Sequence, residues 1–255
     1  QSALLRLATQ ARIAHRGVPA SLLDDGRWSI VRTEAEAHRV ERQWLNLHTA
    51  ISSAGPATPG EMLTTLVVRR FGPAMLHAGT RPALVGLAAG AVGLLGGGLG
   101  WLGHFALGFV LLGLGWMIER VASLLGQVER NSLLVSGTAR RGVAIFHLLI
   151  DAGFVTLATW RSELPSGSGL PWAAAAFAPV LLIGATRLVP LVLPNRAWSR
   201  WLQDKLVVGV TLTIICIFLP FDAAIGLAVL ALLGACLFTL QFAAASPNPR
   251  LTSGS

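Results

Sequence analysis

Residues 82–118 read PALVGLAAGAVGLLGGGLGWLGHFALGFVLLGLGWMI, thirty-seven positions without one Asp, Glu, Lys or Arg. A helix needs about 20 apolar residues to cross the roughly 30 Å of bilayer hydrocarbon. The run is long enough for two crossings, placed near 82–100 and 102–118, with Gly97-Gly98 as the break between them. The second is expected to stay helical to about residue 126.

Four further apolar segments follow, at 142–160, 171–194, 206–221 and 223–243. Breakers separate them: the SELPSGSGLP loop at 162–171, Pro194-Asn195, and Pro220 with Asp222. Charged residues make up 13% of the chain and mean hydropathy is +0.64, whereas soluble domains carry about a quarter charged residues. The fold class expected is an all-α integral membrane protein, six transmembrane helices preceded by an amphipathic interfacial helix.

Basic residues orient these spans, because positive loops stay cytoplasmic. Arg69, Arg70 and Arg81 precede the first span. Arg130, Arg140 and Arg141 lie between the second and third, Arg196, Arg200 and Lys205 between the fourth and fifth, and Arg250 follows the sixth. The opposite loops hold Arg161 and little else that is basic. Both termini are therefore expected in the cytoplasm. The net charge of +8 reads as basic loops facing anionic membrane lipid. No interleaved basic and aromatic patch points to nucleic acid.

Residues 1–46 form a polar cytoplasmic segment, in which Thr33 and Glu36 have capping-box spacing. Residues 47–80 hold an amphipathic juxtamembrane helix with Pro59 at its start and Met62, Leu63, Leu66, Val67 and Phe71 at helical spacing. Arg69 and Arg70 flank that stripe, as in a helix lying on a leaflet. Residues 81–245 hold the six helices, and 246–255 are a cytoplasmic tail. The spans are rich in Gly and Ala, which lets membrane helices approach closely and permits a homodimer. Trp101, Trp116, Trp160, Trp172, Trp198 and Trp201 fall near span ends or loops, as in an aromatic belt. Cys216 and Cys236 lie in apolar runs without metal-ligand spacing. No signal-peptide pattern opens the chain, and the lack of an initiator Met fits a fragment of a longer fusion protein.

Ionisable residues at membrane depth are costly and mark candidate sites. His147 and Asp151 are four apart, on one helix face. Glu119, Ser123, Gly126 and Arg130 share a face of the second span, and Arg187 sits near the cytoplasmic end of the fourth. One reading is an inward-facing site in which Arg130 and Arg187 bind phosphate while His147 and Asp151 act as a base pair. The other is a structural His147–Asp151 hydrogen bond, with Glu119, Arg120 and Arg130 marking the membrane interface.

This organisation resembles the CDP-alcohol phosphatidyltransferase family. Its signature, D-x-x-D-G-x-x-A-R followed by G-x-x-x-D-x-x-x-D, spans the end of the second helix and the start of the third. Gly126 and Arg130 match the Gly and Arg, and His147-x-x-x-Asp151 resembles D-x-x-x-D. Ala122 and Leu125 stand where the first two Asp residues would be, and Glu129 replaces the Ala. The stretch 26–45, GRWSIVRTEAEAHRVERQWL, is similar to the C-terminal end of nucleotidyltransferase domains fused to such membrane domains, with Trp28, Val31 and Thr33 matching. The resemblance implies a bacterial inner (plasma) membrane protein of phospholipid or polar-lipid metabolism. An active member would transfer a phosphoalcohol or phosphatidyl group from a CDP-linked donor, with Mg²⁺ or Mn²⁺ held by the carboxylates and Asp151 as base. A non-catalytic homologue, a scaffold or a small transporter are the alternatives.

Overall fold

The computed structural model describes residues 31, 33–40, 43, 57–77, 82–133, 140–162, 171–192 and 197–245. The chain divides into two compact units, Gln1–Ile51 and Ser52–Ser255. In the first, helix α1 covers residues 34–40. Its capping box forms as the sequence predicts: Glu36 N–H donates to Thr33 Oγ1 (3.2 Å) and Thr33 N–H to Glu36 Oε2 (3.3 Å). Trp28 and most of the nucleotidyltransferase-like stretch lie outside the described residues.

The second unit contains α2 (Pro59–His77), α3 (Pro82–Trp101), α4 (Phe105–Leu133), α5 (Arg140–Arg161), α6 (Pro171–Val192), α7 (Ala197–Gln203), α8 (Lys205–Phe218) and α9 (Phe221–Ala245). All regular structure among the described residues is helical. Each expected apolar segment forms a helix, but among the described residues four are both long and apolar enough to cross a membrane: Pro82–Trp101, Phe105–Gln127, Arg141–Arg161 and Phe221–Phe238. The apolar stretches Ala173–Leu188 and Lys205–Phe218 are shorter. Asp204 and Lys205 bound the second of these at one end. At the other, Pro220 cannot carry the helix on, and Leu219 N–H bonds Ile215 as its cap.

The first break also moves. Gly97-Gly98 lies inside α3, and the chain turns instead at Leu102–His104, where Gly103 takes φ +91°, a conformation that costs a side chain. Helix α4 is the centre of the unit, packing against α2, α3, α5 and α8. Glycines set those distances. A Cβ on Gly108 would lie 2.9 Å from the Gly96 carbonyl oxygen on α3, and one on Gly209 would lie 2.6 Å from the Phe109 carbonyl oxygen on α4.

The main core gathers Phe109, Leu112 and Trp116 of α4, Ile150, Phe154 and Leu157 of α5, Leu212 and Ile215 of α8, and Phe221 and Ile225 of α9. Trp116 is 4% exposed, so it belongs to this core rather than to an aromatic belt. Trp101 and Trp160 do stack at an exposed helix end, with ring centroids 4.3 Å apart. The side chains of Trp172 and Trp198 lie outside the described residues. At the same end the Arg161 guanidinium lies over Phe105 (5.9 Å) and Phe221 (5.8 Å), while Ser162 donates to Asp222.

A smaller cluster joins Val68 of α2, Val85 of α3, and Val121, Ala122 and Leu125 of α4. Helix α2 therefore turns Thr64, Val68 and Gly72 inward and leaves Met62, Leu63, Leu66 and Phe71 exposed beside Arg69 and Arg70. This matches the expected stripe except at Val67, which packs toward the cluster.

Candidate functional site at one end of the bundle

At the end opposite Arg161, ionisable side chains from α4, α5, α6 and α8 form a polar layer. Glu119 is buried on α4 because its helical face is otherwise occupied by Trp116 and Ala122. A buried carboxylate needs a partner, and His147 on α5 supplies it, with Nε2 2.9 Å from Glu119 Oε2. The imidazole keeps 28% of its surface exposed and lies 6.3 Å, centroid to centroid, from the Trp116 ring. Arg120 covers that indole, 5.2 Å from its centre.

One turn further along α5, Asp151 faces two cations. Arg187 on α6 donates Nε–H to Oδ2. Lys205, the first residue of α8, sets Nζ 2.8 Å from Oδ1. That contact is an ion pair outside hydrogen-bond geometry, so Oδ1 has no donor among the described residues. The ammonium donates instead to Thr186 Oγ1 at 3.0 Å. The side chains of Asp151 and Lys205 are 7% and 8% exposed, whereas that of Arg187 is 48% exposed. Two cations thus share one buried carboxylate, and the cluster has an excess positive charge beside an exposed guanidinium.

The layer is anchored from below by Asp204. This residue is 1% exposed. Its Oδ1 caps α8, accepting from the N–H groups of Leu206 (3.0 Å) and Val207 (3.3 Å). Its Oδ2 accepts the Gly60 N–H of α2 at 2.6 Å. The same end of α2 carries a capping box between Thr58 and Glu61. Arg200 of α7 donates to both carboxylate oxygens of Glu61, at 3.1 and 2.9 Å.

His147 and Asp151 share a face of α5, as expected, but they do not bond to each other. The first turns to α4 and the second to α6 and α8, so the base-pair and structural-pair readings both give way to two separate contacts. Arg187 belongs to the Asp151 cluster. Gly126 is buried on α4. Arg130 lies on α4, but its side chain, like that of Glu129, lies outside the described residues. Ala122 and Leu125 are 7% and 2% exposed within the apolar cluster under α2. Where the resembled family places metal-binding carboxylates, this chain places core. No three His, Cys, Asp or Glu side chains among the described residues could together hold a metal ion. These residues do not fit the divalent-cation cradle that the resemblance implies.

Sequence reasoning missed Lys205, Thr186 and Asp204 as members of the site. The signal for two of them was present: the only lysine in the chain follows an aspartate at the start of an apolar helix. Thr186 gave no such sign. Compared with known protein families, characterised proteins and solved structures, the chain finds no match.

Proposed function

We propose that this chain is a diverged, CDP-alcohol phosphatidyltransferase-like membrane protein of phospholipid or polar-lipid metabolism. Its polar layer binds the phosphate of a lipid headgroup or a CDP-linked donor. Supporting this is the two-to-one ratio of cations to carboxylate at Lys205, Arg187 and Asp151. Counted with Glu119 the layer is balanced, so the anion would be taken locally: Arg187 donates its Nε–H to Asp151 and leaves the rest of its exposed fork for a phosphate.

The reading includes six crossings with both termini cytoplasmic. On it, α6 crosses at its 22-residue length, the 14-residue α8 spans a locally thinned bilayer, and α2 lies on the inner leaflet with Met62, Leu66 and Phe71 toward the acyl chains. Because Ala122 and Leu125 are packed core, binding does not run through a metal held at those positions. That same packing favours a second reading, a non-catalytic homologue that keeps the scaffold and the anion site. A transport pathway has less support. From Asp151 toward the Arg161 end, α5 offers Phe154, Leu157 and Ala158, closed by Phe109 stacked between Phe154 and Phe221.

The test is thermal unfolding of the purified protein in detergent with CDP or CMP, with and without Mg²⁺ or Mn²⁺. A ligand that binds only the folded state raises the melting temperature. The expected result is a nucleotide-dependent rise that Arg187→Ala reduces and that does not depend on the metal. No rise with either nucleotide defeats the reading.

A further inference from the structure

We propose that His147, oriented by Glu119, is the proton-accepting group of this site, and that Asp151 is not. The inference rests on the phosphate-binding reading above and adds chemistry to it. Both oxygens of Asp151 face cations, Arg187 at Oδ2 and Lys205 at Oδ1. A proton placed on that carboxyl would strand two charges, one of them buried, so Asp151 serves as their counter-ion.

His147 has the opposite arrangement. Its Nε2 meets a buried carboxylate at 2.9 Å. In the neutral ring this fixes the proton on Nε2, donated to Glu119, and leaves the lone pair on Nδ1. Nδ1 has no hydrogen-bond partner among the described residues, and the ring is partly exposed. A second proton on the ring would be matched by the Glu119 charge already in place, the logic by which a buried carboxylate assists a histidine base. His147 stands one helical turn from Asp151, a rise of about 5–6 Å. A phosphate held by the exposed Arg187, the partner of Asp151, would therefore lie within reach of an acceptor bonded to Nδ1.

The step balances without a metal. The acceptor hydroxyl, water included, gives its proton to Nδ1 as its oxygen bonds to the lipid-side phosphorus of a CDP-linked donor. The bond from that phosphorus to the CMP oxygen breaks, and CMP leaves with the electron pair. Arg187 faces the charge on the phosphate oxygens, with Lys205 behind it as the buried partner of Asp151. Glu119 is a positioning residue, since it acts through His147.

The experiment measures CMP release from CDP-diacylglycerol in mixed micelles, with water and with glycerol 3-phosphate as acceptors. It is run beside the melting shift produced by CDP. Wild type should release CMP. His147→Ala and the isosteric His147→Gln should both lose about a hundredfold or more in rate, the low end of general-base catalysis, while keeping the melting shift. Glu119→Gln should lose rate and keep the shift as well. Release at the wild-type rate in either His147 variant overturns the inference. A melting shift in wild type with no CMP release also overturns it and leaves the binding reading standing. Absence of both shift and release overturns the binding reading and the inference with it.

Discussion

The backbone N–H of Gly60, near the start of α2, donates to the buried carboxylate of Asp204 across 144 residues of sequence, at 2.6 Å. One aspartate therefore caps two helices, α2 and α8. A Cβ at Gly60 would lie 2.4 Å from Asp204 Oδ1, so only glycine lets α2 approach the cap. Asp204→Ala removes the partner of three N–H groups in a buried place. It should cost about 2–4 kcal/mol, with Gly60→Ala costing about 1–3 kcal/mol through overpacking. Thermal or denaturant unfolding in detergent checks both. Equal stability in wild type and Asp204→Ala would show that the junction carries no load.

The cation-rich cluster should respond unevenly to truncation. Asp151→Ala leaves Lys205 buried without its counter-ion, a class of change that costs about 3–5 kcal/mol. Arg187→Ala removes a half-exposed partner and should cost about 1 kcal/mol or less. Replacing the buried pair together, Asp151→Leu with Lys205→Met, should recover part of the loss. Unfolding midpoints of the three variants test this order, and a larger loss in Arg187→Ala than in Asp151→Ala would contradict it.

Glycines in the helix seams separate into two kinds. A Cβ on Gly209 meets the Phe109 carbonyl oxygen at 2.6 Å, whereas one on Gly226 or Gly234 meets nothing within 4 Å. Gly209→Ala should lower stability by about 1–3 kcal/mol as α8 is pushed from α4. Gly226→Ala and Gly234→Ala should be neutral or stabilise by up to about 1 kcal/mol through helix propensity. Melting temperatures of the three single variants decide the matter.

Placing the acids of the resembled motif at positions 122 and 125 should not create a metal site. Ala122 and Leu125 pack with Val68, Val85 and Val121, so Ala122→Asp and Leu125→Asp each bury an unpaired carboxylate. The expected outcome is loss of stability and no new Mg²⁺-dependent or Mn²⁺-dependent rise in melting temperature. A metal-dependent rise in the double variant would show that α2 can yield to a cation.

Topology is open to a direct check. With Cys216 and Cys236 replaced by alanine, a cysteine at Gln127 should react with an impermeant maleimide only from the cytoplasmic side, and one at Ser162 only from the opposite side. Reaction of both from the same side would overturn the proposed orientation.

Much of the fold could be read from residue order. Capping boxes, apolar periodicity and proline stops are local, so the α1 start at Thr33 and the helical segments through 82–245 followed from sequence. Gly97-Gly98 misled because a helical glycine costs only about 1 kcal/mol relative to alanine, and packing elsewhere on the helix outweighs that. Inside α3 the adjoining Gly96 and Gly100 faces are filled by α4 and α5. Trp116 misled for a similar reason, since whether an aromatic near a span end meets lipid or core depends on its neighbours.

Residue order alone established that the chain builds apolar helices and that Glu119, His147, Asp151 and Arg187 lie within its apolar segments. Spacing also put His147 and Asp151 on one face. Tertiary structure alone decided their partners. A helix has neighbours on several sides, and adjacent turns of α5 face different ones. His147 therefore meets Glu119 on α4, whereas Asp151 meets Arg187 on α6 and Lys205 on α8. Burial enforces those pairings, because an ionised group removed from water is tolerated only beside an opposite charge.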